Sequence, residues 1–201
     1  YVGIGELGAT LWRQEALTLE RIGSLGHGAL PTMLDSGYLP PTADQPGVAF
    51  VRTRAVEPSV DADGNPVDLA DFLLERPSEA VRHLWLLADA LAAIHDCRII
   101  HRNLWSGAIE YETVGYSDQA DDPDVVARGL RVQLARFEMS GMFSNLLRSW
   151  RPGRIGPSEV REFLLAQPPR SRMFASPERL RFIFGAEASS AQDFAGDVFG
   201  L

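Results

Sequence analysis

The sequence predicts an α+β protein in which helices and strands are segregated rather than alternated. Three observations predict it. Residues 79–96 hold a long run of apolar side chains at helical spacing. Two strand-like runs, 29–39 and 47–56, precede it with only a Pro-rich turn between them. Shorter strand-like runs follow it as neighbours instead of taking turns with helices.

Each element has a local reason. Residues 11–25 place Leu11, then Leu17 or Thr18, then Leu19, Ile22 and Leu25 at helical spacing, and Gly26 and Gly28 end that helix. Pro40-Pro41 turns the chain between the two strands. Asp63-Gly64-Asn65-Pro66 marks a loop within 57–67, and a short helix is expected at 68–75. Ser78 caps the helix over 79–96, whose stripe is Leu84, Leu87, Ala88, Leu91 and Ile94. Short strands are expected near 99–101, 108–112 and 130–135, with the acidic loop Ser117 to Asp124 between the last two. A Pro/Gly/Arg-rich stretch at 151–157 leads to a final helical pattern at 158–166.

Composition narrows the function. A chain of 201 residues with 45% hydrophobic and 23% charged residues is ordinary for a globular protein. A net charge of -8 argues against a nucleic-acid surface. All 19 basic residues are Arg and none is Lys, as a GC-rich, bacterial genome would favour, so no lysine ammonium is available for chemistry. The single cysteine, Cys97, excludes an intrachain disulfide framework. No apolar run approaches the roughly 18 residues of a membrane span, and no signal peptide opens the chain, which makes the cytoplasm the expected compartment. The chain begins at Tyr1 rather than Met and stops on Asp197-Val198-Phe199-Gly200-Leu201, an apolar run without a terminating signal. It reads as part of a larger protein.

Two motifs carry the functional reading. Ile100-His101-Arg102-Asn103-Leu104 resembles the catalytic loop of protein kinases, and Arg136-Phe137-Glu138 resembles their metal-binding motif, with the chemical residues exchanged. The resemblance extends along the chain in family order. Glu15 to Ile22 resembles helix C, with Glu15 at the position of the lysine-pairing glutamate. Val48 to Val56 resembles the fifth strand and hinge, with Thr53 as gatekeeper and Arg54 and Val56 beyond it. Residues 79–96 resemble the helix that leads into the catalytic loop. Phe174-Ala175-Ser176-Pro177-Glu178 resembles the end of the activation segment, with Pro177 and Glu178 as its signature. Asp197 to Leu201 resembles the opening of the central helix.

The resemblance implies a two-lobed kinase-like fold: a partial N-lobe over 1–56 and a mainly helical partial C-lobe over 57–201. It also implies lost chemistry. Asn103 stands where the family's base is an Asp, and a neutral amide is no base near neutral pH. Trp105 replaces the phosphate-contacting Lys, and Ala108 replaces a metal-binding Asn. Arg136 puts a permanent cation at the metal-binding Asp position, and Glu138 replaces the Gly of that motif. Glu110, at the adenine floor, would set a carboxylate against the purine, which is costly unless paired. No cofactor and no metal are therefore expected, and any ATP binding would be metal-independent.

The resemblance also implies a kept scaffold. Leu19, Met33, His101 and Phe137 match the family's stacked spine and Asp197 its anchor; a packed core explains the same residues equally well. Arg136 is expected to pair with Glu15 in place of the missing lysine. Gly3-Ile4-Gly5-Glu6-Leu7-Gly8 matches a phosphate-loop pattern but lies too close to Glu15, and reads as a flexible approach to the helix. His27, His83 and His95 show no metal-ligand spacing. Arg148, Arg151, Arg154, Arg170 and Arg172 form a solvated face or a docking site for an acidic partner. The function expected is that of a pseudokinase, a regulatory or protein-interaction domain whose partner is another protein or another domain of the same polypeptide. Two rivals stand beside it: a divergent Ser/Thr kinase or nucleotide-transferring enzyme, and a structural spacer whose cleft is filled by Trp105, Glu110 and Arg136.

Overall fold

A computed structural model of the chain describes residues 6–54, 77–114, 129–140, 156–185 and 194–200. Among the described residues there are six α-helices and two small antiparallel sheets, an α+β arrangement. Helix α1 (Glu6–Gly23) leads into strands β1 (Met33–Leu39) and β2 (Val48–Thr53), which pair as a hairpin from Met33↔Thr53 to Leu39↔Val48. Helix α2 (Pro77–Asp96) follows, then β3 (Ile109–Val114) and β4 (Gly129–Leu134), which pair from Ile109↔Leu134 to Val114↔Gly129. Four short helices complete the chain: α3 (Pro157–Ala166), α4 (Pro169–Met173), α5 (Pro177–Ile183) and α6 (Phe194–Gly200). No helix among the described residues is long and apolar enough to cross a membrane.

Helix α1 begins five residues before the expected start and ends two residues earlier. Its buried face is Leu11, Thr18, Leu19 and Ile22, so of the alternatives at 17 and 18 the threonine turns inward, while Leu17 is 61% exposed. This face serves two cores. Leu19 and Ile22 join the larger one, with Leu87, Leu91 and Ile94 of α2, Val132 and Leu134 of β4, and Phe137. Leu11 joins a second, with Met139, Val160 and Leu164 of α3, and Phe182 and Ile183 of α5. Cutting either contact to Ala is worth about 2–5 kcal/mol at such buried positions. The Trp12 indole N–H donates to the Phe50 carbonyl at 3.0 Å and ties α1 to β2.

In α2 the buried stripe is rotated from the expected one. Leu84 is 51% exposed and Ala88 lies at the surface, whereas His83 and Ala90 turn inward beside Leu87, Leu91 and Ile94. Apolar residues occupy both sides of this helix, so periodicity alone did not choose the inner one. The helix closes with a Schellman motif: Arg98 N–H bonds the His95 carbonyl at 2.8 Å and Ile99 N–H the Ile94 carbonyl at 3.0 Å. Arg98 takes the left-handed conformation, φ 59°, at the position glycine usually fills.

Further boundaries are corrected. The first strand starts at Met33 rather than 29. The strand expected near 99–101 does not form, because its backbone donors are taken by the helix end and by a carboxylate described below. Helices α4 and α5 were not expected from the sequence. The helix expected at 68–75, the acidic loop 117–124 and Val56 lie outside the described residues. So do Gly3 and Gly5, while Gly8 of that pattern is inside α1.

Candidate functional site

The site grows from one buried carboxylate. Asp197 of α6 is 1% exposed. Its Oδ2 accepts the His101 backbone N–H at 2.6 Å, its Oδ1 accepts the Arg102 N–H at 2.6 Å, and the His95 Nε2 lies 2.9 Å from Oδ2. These bonds hold residues 101–103 in a bent path, with Arg102 left-handed at φ 62°. Gly200, one turn along α6, lets the helix lie against this path. A Cβ there would sit 2.9 Å from the Leu104 Cβ and 3.1 Å from the Leu104 carbonyl oxygen.

His101 is fully buried. Its Nε2–H donates to the Ala135 carbonyl at 2.8 Å and its Nδ1 accepts the Asn103 N–H at 3.3 Å. Those two bonds define a neutral imidazole. Burial lowers its pKa to about 4, against the pull of Asp197. The ring meets Phe137 edge-on at 4.5 Å. Phe137 belongs to the same core as Leu19, and Met33 packs against that core. The five residues expected to form a stack and its anchor are thus brought together.

Asn103 is 1% exposed and both ends of its amide are occupied. Its Nδ2 donates to Glu138 Oε1 at 3.3 Å, and its Oδ1 accepts from Arg179 Nη2 at 3.1 Å. Arg179 Nη1 also donates to the Arg102 carbonyl. Burial lowers the Arg179 pKa to about 10, with Glu138 and Asp197 opposing, and burial lowers that of Arg102 as well. Glu138 is 6% exposed. Burial raises its carboxyl to about 7 and the Glu15 carboxylate adds to the rise, while its own backbone N–H, Arg136 and Arg179 oppose it. A chain of polar contacts therefore runs from α5 through the 101–103 loop to the turn at Phe137–Met139, which packs on α1.

Two cavities flank this chain. The larger, of about 360 Å³, lies between the β1–β2 hairpin and the β3–β4 hairpin; Glu15, Thr53, Glu110, Gln133 and Arg136 supply its polar wall. Glu110 and Gln133 are direct cross-strand partners. Partial burial raises the Glu110 carboxyl pKa and Arg136 opposes the rise. The smaller, of about 240 Å³, is lined by Asn103, Trp105, Arg136, Glu138, Phe163, Ala166, Gln167 and Pro168. Arg136, exposed and left-handed at φ 65°, borders both.

The remaining expected residues scatter. Ala108 is buried, and its carbonyl accepts the Ala135 N–H at 2.8 Å. The Arg54 side chain is exposed, while its N–H bonds the Thr32 carbonyl at 3.0 Å. Pro177 opens α5 behind the cap Ser176, whose hydroxyl accepts the Arg179 N–H at 3.4 Å. Glu178 is exposed. Of the Arg cluster, Arg170 and Arg172 lie on α4, and Arg148, Arg151 and Arg154 fall outside the described residues. Among the described residues no three His, Cys, Asp or Glu converge as a metal cluster.

Sequence reasoning missed Arg179. Its signal was present: it shares the spacing of the inward positions Phe182 and Ile183 on α5, and an Arg on a buried helical face needs acceptors. Glu15 and Arg136, expected to pair, share a cavity wall, and both act on Glu138 with opposite sign. Arg136→Gln is therefore expected to move the Glu138 titration midpoint above about 7, and Glu15→Gln to move it down. Carboxyl ¹³C shifts followed against pH measure both; an unmoved midpoint in either variant contradicts the assigned fields.

No protein-family model matches this chain, and no curated protein matches it.

Proposed function

We propose that this chain is a kinase-like domain without phosphoryl transfer, working as a regulatory or protein-interaction module of a larger protein. One observation carries the reading. At the position where the resemblance expects a catalytic carboxylate, Asn103 is clamped between Arg179 and Glu138. An amide held at both ends accepts no proton and has no freedom to orient a hydroxyl. Arg136, at the expected metal position, carries positive charge into the same space, and phosphoryl transfer depends on metal and charge neutralisation there. The kept anchor supports a rigid scaffold suited to display: Asp197, His101 and Phe137 hold the loop in one shape. On this reading residues 1–56 and 57–201 are the partial N-lobe and C-lobe, and any ATP binding in the cleft is metal-independent.

A second reading has one observation in its favour. Glu138 is a buried carboxyl with a pKa raised to about 7, bordering a cavity, and such groups serve as general bases. This would be a divergent kinase or nucleotidyl-transferring enzyme. Incubating the chain with ATP labelled at the γ- or α-phosphate, with magnesium or manganese, separates the two. The expected result is no transferred label and no metal-dependent rise in Tm. Label lost in Glu138→Gln would overturn the proposal in favour of the enzyme.

A further inference from the structure

The outer face of α2 is apolar where a surface helix is ordinarily polar. Val81, Leu84 and Trp85 stand on it 70%, 51% and 66% exposed. The face continues one and two turns on as Ala88 and Ala92, both exposed. With 3.6 residues per turn, Val81, Trp85, Ala88 and Ala92 fall within about 60° of one another, on the side away from the buried Leu87, Ala90 and Ile94. Bulk therefore sits on the first half of the face and small residues on the second. Charge divides in the same way along one border, with Arg82 in the first half and Asp89 in the second, both exposed. The His27 Nε2–H donates to Asp89 Oδ2 at 3.1 Å and holds that carboxylate at the border.

Such a face is its own complement when reversed. Turned end for end, Leu84 meets Ala88, Val81 meets Ala92 and Arg82 meets Asp89. The three pairs share one midpoint, next to residue 86, so a single twofold axis serves them all. An antiparallel twofold also keeps each border on its own side, so Arg82 of one copy lies beside Asp89 of the other. A parallel pairing puts bulk against bulk and sends the charged borders to opposite sides. We infer that two copies of this chain associate through α2, antiparallel, across a twofold axis beside Trp85. A Trp at the centre with an Arg beside it is the composition that protein interfaces favour. The contact is short. From Val81 to Ala92 the helix rises about 17 Å, which places the interface in the class below about 1,200 Å². The dimer is therefore weak, with an expected Kd of about 10–100 µM. A foreign helix needs its own matching halves of bulk and charge, whereas a second copy brings them by symmetry. The inference goes beyond the reading of the Asn103 site and does not depend on it.

Sedimentation equilibrium from about 5 to 500 µM reads the association. Salt of about 0.15 M screens the net charge of -8 beyond roughly 8 Å. The expected result is a rise from monomer to dimer mass across that range. Trp85→Gln, at an exposed position, weakens the association at least about tenfold. Arg82→Glu and Asp89→Arg each weaken it by about fivefold, because each sets like charges together at both ends of the contact. Mixed in equal amounts, these two charge variants associate with each other to within about threefold of wild type, since every Arg82–Asp89 position again holds opposite charges. Asp89→Arg gives up only a surface contact with His27, and thermal melts show that each variant is folded. A monomer at every concentration, association undiminished in Trp85→Gln, or a mixture no tighter than either charge variant alone overturns the inference. A monomer whose Tm falls in Trp85→Gln overturns it in favour of another part of the same polypeptide covering this face. None of these substitutions touches Asn103, Arg136 or Glu138, so this test and the ATP-labelling test fail separately.

Discussion

Asp197→Ala is expected to lower the stability of the folded chain by about 3–5 kcal/mol, the loss that follows when one partner is removed from a buried charged network. The wild-type carboxylate satisfies two backbone N–H groups and the His95 ring from a position that is 1% exposed. Alanine leaves two backbone donors in the interior without their acceptor, and the partly exposed His95 ring loses its carboxylate partner. Arg102 then loses what holds it in a left-handed backbone, and the loop that carries His101 and Asn103 loses its fixed path. Urea unfolding measures the loss as a lower midpoint with the slope unchanged. Asp197→Asn should fall between the two, because one amide oxygen is kept and an N–H₂ is turned toward a backbone donor. A loss below about 1 kcal/mol for the alanine variant would show that the loop is held by something other than Asp197.

The second large effect is a compensation between two buried groups across the pH scale. His101 has its pKa lowered from 6.5 to about 4. The unfolded chain binds that proton more readily, so stability is full above pH 6.5 and falls as pH drops from 6.5 toward 4. Glu138 has its pKa raised from 4.5 to about 7. Here the folded chain binds the proton more readily, so stability is full below pH 4.5 and is lost as pH rises toward 7. Each swing is about 3 kcal/mol by linkage, and the two run in opposite directions over nearly the same interval. Wild-type stability should therefore be nearly flat from pH 4.5 to 6.5. Glu138→Gln removes one arm, and its stability should climb by about 3 kcal/mol over that interval as His101 alone is seen. Urea midpoints at half-unit pH steps test this. A variant profile as flat as the wild type would show that His101 and Glu138 are not the groups that govern it.

Much of the fold could be read from the sequence because local signals and burial agree there. The hairpin of β1 and β2, the helix over 77–96 and the β3–β4 pair lie close to where spacing and turn residues put them. The errors have physical causes. Leu84 and Ala88 look like core residues by period, but α2 is apolar on two sides, and only packing against α1 and β4 selects the side with His83 and Ala90. Residues 99–101 look like a strand, but the helix end takes the Ile99 donor and a carboxylate nearly one hundred residues later takes that of His101. For the site, His101, Asn103, Arg136, Phe137 and Asp197, named from motif order, lie along one connected set of contacts. The closing of Asn103 by Arg179 was not legible: helical spacing marks Arg179 as inward but does not name a partner 76 residues away.

The Asp197 bonds also set an order of events for a chain emerging from a ribosome. The loop at 101–102 is made early, and the carboxylate that fixes it is about 95 residues downstream. At about 5–20 residues per second, the loop waits on the order of five to twenty seconds for its clasp. During that interval α2 and the β3–β4 hairpin can already pack, since their contacts are nearer in sequence, while His101 and Asn103 have no fixed position. The central loop is thus fastened later than the elements between it and α6, and a stall in synthesis before α6 would leave a compact but unfastened intermediate.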